Sequence, residues 1–208
     1  MVDKFCTGFG LEIGPGSKSY TKVESTIYLD KYPTREKVGE RTFLTADTIE
    51  IPIKENTFDY IFSAHCLEHV PNTIKVLKEW IRVLKPGGIL FLVLPHGERT
   101  FDRGRKMTTL EHHVLDYKNK ANHTDSTHWE EIEKYCIPQE DHPWKEKALR
   151  PDGSWDFPWL ADIGVLHYHV WSEVEIGKLL KYLGGEILLS IPEVSDRKDS
   201  FMVVARRK

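Results

Sequence analysis

Short apolar runs broken by turn residues alternate with helical periodicities through the first hundred residues, the signature of a parallel sheet with crossover helices. The runs predict strands over 10–13, 26–29, 41–45, 59–63 and 89–94. Ahead of the last of these, "NTIKVLKEWIRVLKPGG" places Ile74, Leu77, Ile81 and Leu84 at spacings of three and four, giving a helix with one apolar face. Pro86, Gly87 and Gly88 are expected to end it. From Pro95 to about Leu166 the periodicity fades among histidines, tryptophans, charges and prolines. A segment that long is expected to fold as an insertion of short helices, 96–166, over the sheet. Regularity returns in "WSEVEIGKLLKYLGG", with Ser172 and Glu175 at capping-box spacing, apolar residues at Ile176, Leu179, Leu180 and Leu183, and Gly184 as terminator. Two closing runs, 186–191 and 201–205, are joined by the polar "PEVSDRKDS" and predict an antiparallel pair. The pattern adds up to one α/β domain, 1–208: a seven-stranded, mostly parallel sheet with an antiparallel last strand, helices on both faces, and a lid insertion after the fifth strand.

Composition narrows the class of ligand. The 29 Lys and Arg nearly balance the 32 Asp and Glu, which removes any electrostatic argument for a nucleic-acid or anionic-membrane partner and leaves small molecules as the expected ligands. No stretch approaches a bilayer span and no secretory pattern precedes the first strand, so a soluble, cytoplasmic protein is expected. Cys6, Cys66 and Cys136 lie far apart without CxxC spacing and read as reduced packing residues.

The turn in "GLEIGPGSKSY" invites a ligand close to the backbone. A dinucleotide fingerprint needs a third glycine, and Ser19 stands there; only the residues 14–25 separate the first two strands, leaving little room for a phosphate-facing helix. The P-loop pattern fails as well. Asp30 closes the second strand, where a carboxylate can accept from both hydroxyls of a ribose, and Asp47 follows the third, placed to accept from the exocyclic amine of an adenine. Either acid alone would read as a solvated turn residue; at successive strand ends on the ligand edge of an open sheet they read together as a nucleoside site.

"LEIGPGS", the acid in "IYLDKYP", "LTADTIEIPIKENTFDYIFSAHCLEHV" and "LKEWIRVLKPGGILFLVLP" together resemble the class I S-adenosylmethionine-dependent methyltransferases of the small-molecule, type 11 kind. The resemblance is dense over residues 9–95 and implies a Rossmann-like sheet. It implies that Glu12 and the backbone around Gly14 and Gly16 hold the methionine end of the cofactor, Asp30 its ribose, and Asp47 with Thr48 its adenine. Ser63 and His65 would flank the reactive methyl group. S-adenosylmethionine carries no phosphate, so the missing glycine costs it little. The helices that usually precede the glycine turn are absent and the early crossovers are short, so the substrate cover is expected to come from the insertion.

Methyl transfer is an in-line displacement for which positioning in a dry pocket supplies much of the rate, and a hydroxyl acceptor benefits from a nearby base. His65, at a strand mouth, and His96, after the fifth strand, are the candidates; His69 reads as structural. Eight of the ten histidines lie between His96 and His169 and five of the six tryptophans between Trp129 and Trp171. Such a concentration suits a polyhydroxylated acceptor or, alternatively, a satellite core under a long loop. His167 and His169 would share a face if that stretch is extended. His112, His113 and Asp116, or His123 with His128, could ligate a metal, yet neither group has a recognised zinc spacing, and no metal is expected. "DRGRK", 102–106, reads as a solvated loop or a phosphate dock. A further similarity, of "ERTFDRGRKMTTLEHHVLDYKN" to segments of bacterial surface-glycan proteins, implies a sugar or nucleotide-linked sugar acceptor and a place in polysaccharide biosynthesis. The competing readings are a catalytically inactive cofactor-binding protein and a nicotinamide-dependent oxidoreductase.

Overall fold

A computed structural model describes residues 1–16, 19–31, 42–135 and 145–208. Arg41, Cys136, His142 and Trp144 lie outside the described residues. After a short helix α1 (Val2–Phe5), the strands are β1 (Gly10–Ile13), β2 (Thr26–Asp30), β3 (Phe43–Thr45), β4 (Phe58–Ala64), β5 (Leu84–Pro95), β6 (Gly185–Ile191) and β7 (Ser200–Arg207). They form one seven-stranded sheet in the order β3-β2-β1-β4-β5-β7-β6. Five are parallel neighbours, and β7 runs antiparallel to both β5 and β6, so the single reversed strand is the last one.

Along β5 successive side chains alternate between the two covered faces of the sheet. Leu90, Leu92 and Leu94 enter the larger core with Ile74, Leu77 and Trp80 of α2 (Thr73–Val83) and Ile176, Leu179 and Leu180 of α7 (Glu173–Tyr182). Phe91 and Val93 turn to the opposite face with Tyr60, Phe62 and Val204, where α1 and the chain around Val23 and Val194 pack against them. Among the described residues no helix joins β1 to β2, in keeping with the short connection.

Two local signals are realised as chemistry predicts. Asn72 caps α2 by accepting from the Lys75 N–H, and the Ser172–Glu175 capping box opens α7. One boundary differs. The helix ends at Val83, before Pro86, because Leu84 already pairs with Phe58; the ladder slips across Pro86–Gly88 and resumes at Tyr60 and Ile89. Pairing with β4 thus competes successfully with the last helical turn.

Between β5 and α7 lie α3 (Leu110–Asn119), α4 (Trp129–Tyr135), α5 (Lys145–Ala148) and α6 (Phe157–Asp162). Ile132, Phe157, Leu160, Leu166 and Tyr168 build a second apolar cluster there, with Trp129 stacked on Phe157 at 5.1 Å between ring centroids. No helix among the described residues is long and apolar enough to cross a membrane.

Candidate functional site

The carboxyl ends of β1, β2 and β4 open on a cleft of about 880 Å³, at the edge where open parallel sheets receive ligands. Gly14 and Gly16, Asp30, Asp47 and Thr48, and His65 all line it. The insertion contributes the opposite wall through Tyr117, Lys118 and the 120–123 turn.

Gly14 and Gly16 both have left-handed backbone, φ +67° and +55°, which glycine adopts without steric cost. The Gly14 N–H donates to the Leu29 carbonyl at 2.9 Å, locking the turn to β2. A Cβ on Gly14 would sit 2.9 Å from the Cβ of Cys66, so the close approach is built in. Gly14→Ala is expected to lower the unfolding free energy by about 1–2 kcal/mol from backbone strain alone, with the Cys66 clash in addition. Urea denaturation checks this; an unchanged midpoint would show that the turn tolerates a side chain. Burial pushes the Cys66 thiol up to about 12, so it stays protonated beside the turn.

Three sequence candidates stand elsewhere. Glu12 is buried behind the turn, its carboxylate accepting from the Tyr20 and Thr21 N–H groups at 2.8 and 3.0 Å and from the Thr21 hydroxyl. It ties down the returning chain instead of facing the cleft, because three donors of its own loop reach it first. Ser63 is fully buried and donates to the Ile13 carbonyl at 3.2 Å. His96 lies outside the cleft wall, its Nδ1 accepting from the Glu98 N–H and its ring edge-on to Phe201.

Asp47 Oδ1 accepts from the Ile49 N–H at 3.1 Å, and its other oxygen is 3.9 Å from Lys31 Nζ. The neighbouring Thr48 hydroxyl accepts from the Trp80 indole at 2.6 Å, so the α2 core fixes this corner of the cleft.

His65 also has left-handed backbone, φ +51°. Its Nε2 meets the Ser200 hydroxyl at 2.8 Å, and that hydroxyl donates to Asp199 Oδ1 at 2.7 Å. With its proton directed at Asp199, Ser200 accepts from His65 Nε2–H, which leaves the lone pair on Nδ1, 3.5 Å from Glu68 Oε1. His69 Nδ1 donates to the Leu166 carbonyl at 3.0 Å, so its Nε2 also presents a lone pair, 3.8 Å from the same oxygen. Glu68 is fully buried and neither carboxyl oxygen has a hydrogen-bond partner. Burial raises its pKa to about 7, while burial lowers His65 to about 4 and His69 to about 3. His65 and His69 line the cleft, and Glu68 lies buried behind them with its Oε1 within 3.5–3.8 Å of both rings.

Glu68, Asp199 and Ser200 were not singled out by the sequence. "HCLEH", with its acid between two histidines, was an available signal for the first; the others come from the far end of the chain. The histidine and tryptophan concentration resolves into packing more than cleft lining. Trp129, Trp155 and Trp159 belong to the second apolar cluster, Trp171 is in the main core, and His123 alone of the described insertion histidines lines the cleft. "DRGRK" is neither a solvated loop nor a phosphate dock at its two key positions. Asp102 and Arg105 are buried, joined at 2.7 Å, and Arg105 also donates to the His167 and Tyr168 carbonyls. His167 bonds Asp102 and His169 bonds Asp116, so the pair expected to share a face serves two different carboxylates.

A family model described as a methyltransferase domain matches residues 11–92. A sterol 4-C-methyltransferase of Caenorhabditis elegans is 32% identical over 117 residues, 55% of this chain and 35% of that protein. A ubiquinone/menaquinone biosynthesis C-methyltransferase of Idiomarina loihiensis is 39% identical over 64 residues, 31% of this chain and 26% of its own length. The chain thus spans well under half of these curated relatives. Among solved structures, an S-adenosylmethionine-dependent methyltransferase of Mesorhizobium loti superposes with a TM-score of 0.54 at 15% identity, covering 96% of this chain and 90% of that one. The trans-methyltransferase CalH in complex with SAH gives 0.54 at 15% identity, over 100% of this chain and 53% of that one. Glycine turn, strand-end acids and sheet order converge with these comparisons: residues 11–92 match a methyltransferase domain, and the chain shares its fold with S-adenosylmethionine-dependent methyltransferases.

Proposed function

We propose that this chain transfers a methyl group from S-adenosylmethionine to a small polar acceptor. The observation that carries the reading is the meeting of the Gly14–Gly16 turn, Asp30 and Asp47 in one cleft of about 880 Å³, within the range of roughly 300–1,000 Å³ usual for small-molecule sites. A Cβ on Gly16 would meet nothing within 4 Å, so this part of the turn offers bare main chain to the cofactor's amino-acid end. Asp30 takes the ribose hydroxyls, and Asp47 with Thr48 takes the adenine edge. Glu12 and Ser63, in this reading, position the turn and do not touch the ligand.

When bound, the cofactor supplies an electrophilic methyl group on a sulfonium. The chain's contribution is to align the acceptor and to receive its proton. His65 takes that role: it lines the cleft, is neutral at pH 7, and would hold the new positive charge beside Glu68. Nothing in the position of His96 supports a part in the reaction.

Lys75, Lys118 and Lys120 reach the acceptor side of the cleft. They favour an acceptor that bears negative charge, which fits an oxygen of a nucleotide-linked sugar and a role in surface-glycan assembly. The insertion would act as the substrate lid of a single domain in the cytoplasm.

The test is calorimetric titration with S-adenosylhomocysteine, followed by transfer of labelled methyl from the cofactor into a panel of nucleotide sugars and quinones. Absence of saturable binding at high micromolar concentration would sink the reading. Label in quinones only would replace the sugar acceptor. His65→Ala is expected to lower turnover by about 100-fold while leaving cofactor affinity nearly intact. Turnover equal to wild type would move the proton elsewhere.

A further inference from the structure

We propose that His112, Asp116, His128 and His169 form a structural zinc site that fastens the insertion to the sheet domain. Helix α3 supplies His112 and Asp116 four residues apart, hence on one face; the Ser126–His128 turn supplies His128, and the stretch leading into α7 supplies His169. All three imidazoles present Nε2 to a common point. Asp116 Oδ2 lies 3.3 Å from His112 Nε2, 3.8 Å from His128 Nε2 and 2.9 Å from His169 Nε2. The His112 and His128 Nε2 atoms are 2.9 Å apart, and all four donor atoms fall within 4.8 Å of one another. A tetrahedral ion with zinc–ligand bonds of about 2.0–2.1 Å places its ligand atoms about 3.3–3.4 Å apart, in the middle of the observed spacings.

The surroundings match those of a metal centre. His169 Nδ1 meets the Thr73 hydroxyl and His128 Nδ1 the Thr127 hydroxyl, each at 3.2 Å, partners able to accept Nδ1–H when an ion takes the Nε2 lone pair. Asp116, His128 and His169 are buried, whereas the His112 side chain is 41% exposed and offers a way in. Three neutral imidazoles and one carboxylate suit zinc more than magnesium or calcium. Four protein donors complete the tetrahedron and leave no open position, so the ion would be structural. His113 is excluded, since its Nε2 accepts from the Trp171 indole.

The site stands one layer behind the cleft. The Asp116 carbonyl accepts from the Ala121 N–H at 2.9 Å and from Asn72 Nδ2 at 3.2 Å, and both of those residues line the cleft. A bound ion would therefore set the position of the acceptor wall without touching the ligand. The alternative, imidazoles sharing protons with Asp116 and no ion, predicts a different result in each measurement below.

The chelator-treated full chain would be titrated with Zn²⁺ against a chromophoric competitor, and with Co²⁺ for its visible spectrum. One equivalent should bind with Kd tighter than about 100 nM. Cobalt should give the intense bands of a four-coordinate site, and zinc at roughly 100 times its Kd should raise Tm by about 5–10 °C. Asp116→Asn and His128→Gln should lose stoichiometric binding, and His123→Gln should keep it. No saturable binding to the wild-type chain, a six-coordinate cobalt spectrum, no rise in Tm, or full binding by Asp116→Asn and His128→Gln would each overturn the proposal. The wild-type measurements decide it even if a variant fails to fold.

Discussion

Asp30→Ala should weaken S-adenosylhomocysteine binding by about 100-fold. A carboxylate accepting from two ribose hydroxyls makes two charge-assisted hydrogen bonds, each worth roughly 1.5–3 kcal/mol and not fully additive. A loss of about 3 kcal/mol corresponds to about two decades in Kd. Asp47→Ala, which on the proposed assignment would remove one acceptor from the adenine edge, should cost nearer tenfold. Calorimetry on both variants, with a thermal melt to show that the fold persists, ranks the two acids. Equal and small losses would mean that the nucleoside does not lie across the ends of β2 and β3.

Glu68→Gln should stabilise the protein at pH 8 by on the order of 3 kcal/mol and change it little at pH 4.5. The sign follows from linkage. The carboxyl of Glu68 is raised from 4.5 to about 7 in the folded chain, so its contribution is fully present below pH 4.5 and is lost as pH rises through 7. His65 and His69 act in the opposite direction. Their folded pKa values, about 4 and about 3, lie below the usual 6.5, so their contribution is present above pH 6.5 and is lost as pH falls. Urea unfolding at pH 8 and at pH 4.5 separates these contributions, because glutamine keeps the shape of the protonated acid and removes its titration. Should the variant unfold at the same urea concentration as wild type at pH 8, Glu68 is not held as an isolated buried charge. The same substitution should flatten the rise of turnover across pH 7 that an ionising Glu68 would give if His65 is the proposed base.

The two predictions touch residues of very different legibility. Asp30 could be read because a strand end on the ligand edge of a parallel sheet is fixed by chain order: the alternation of strands and helices places it there before any side chain is packed. Glu68 could not, because its pKa depends on burial beneath His167 and beside two rings whose tautomers are set by Ser200 and Leu166. Those partners come from 97 and 135 residues away along the chain.

The metal question divides in the same way. The spacing of His112 and Asp116 places them on one helix face, but His128 and His169 reach them only after the insertion has folded back on itself. No short motif records that convergence. The tryptophans misled for a related reason: a flat ring with a polar tip suits a sugar face and a secondary core equally, and only the stacking of Trp129 on Phe157 chooses between them.

The sequence by itself determined the strand succession, the capping box of α7, the reversed last strand and the sheet edge at which the glycine turn and two acids meet, because each follows from local periodicity, turn stereochemistry and crossover length. Tertiary structure alone decided that Glu12 faces its own loop, that Glu68 is stranded between histidines, and that four donors meet behind the cleft. Burial and long-range approach set those outcomes, and neither is a property of any short stretch of chain.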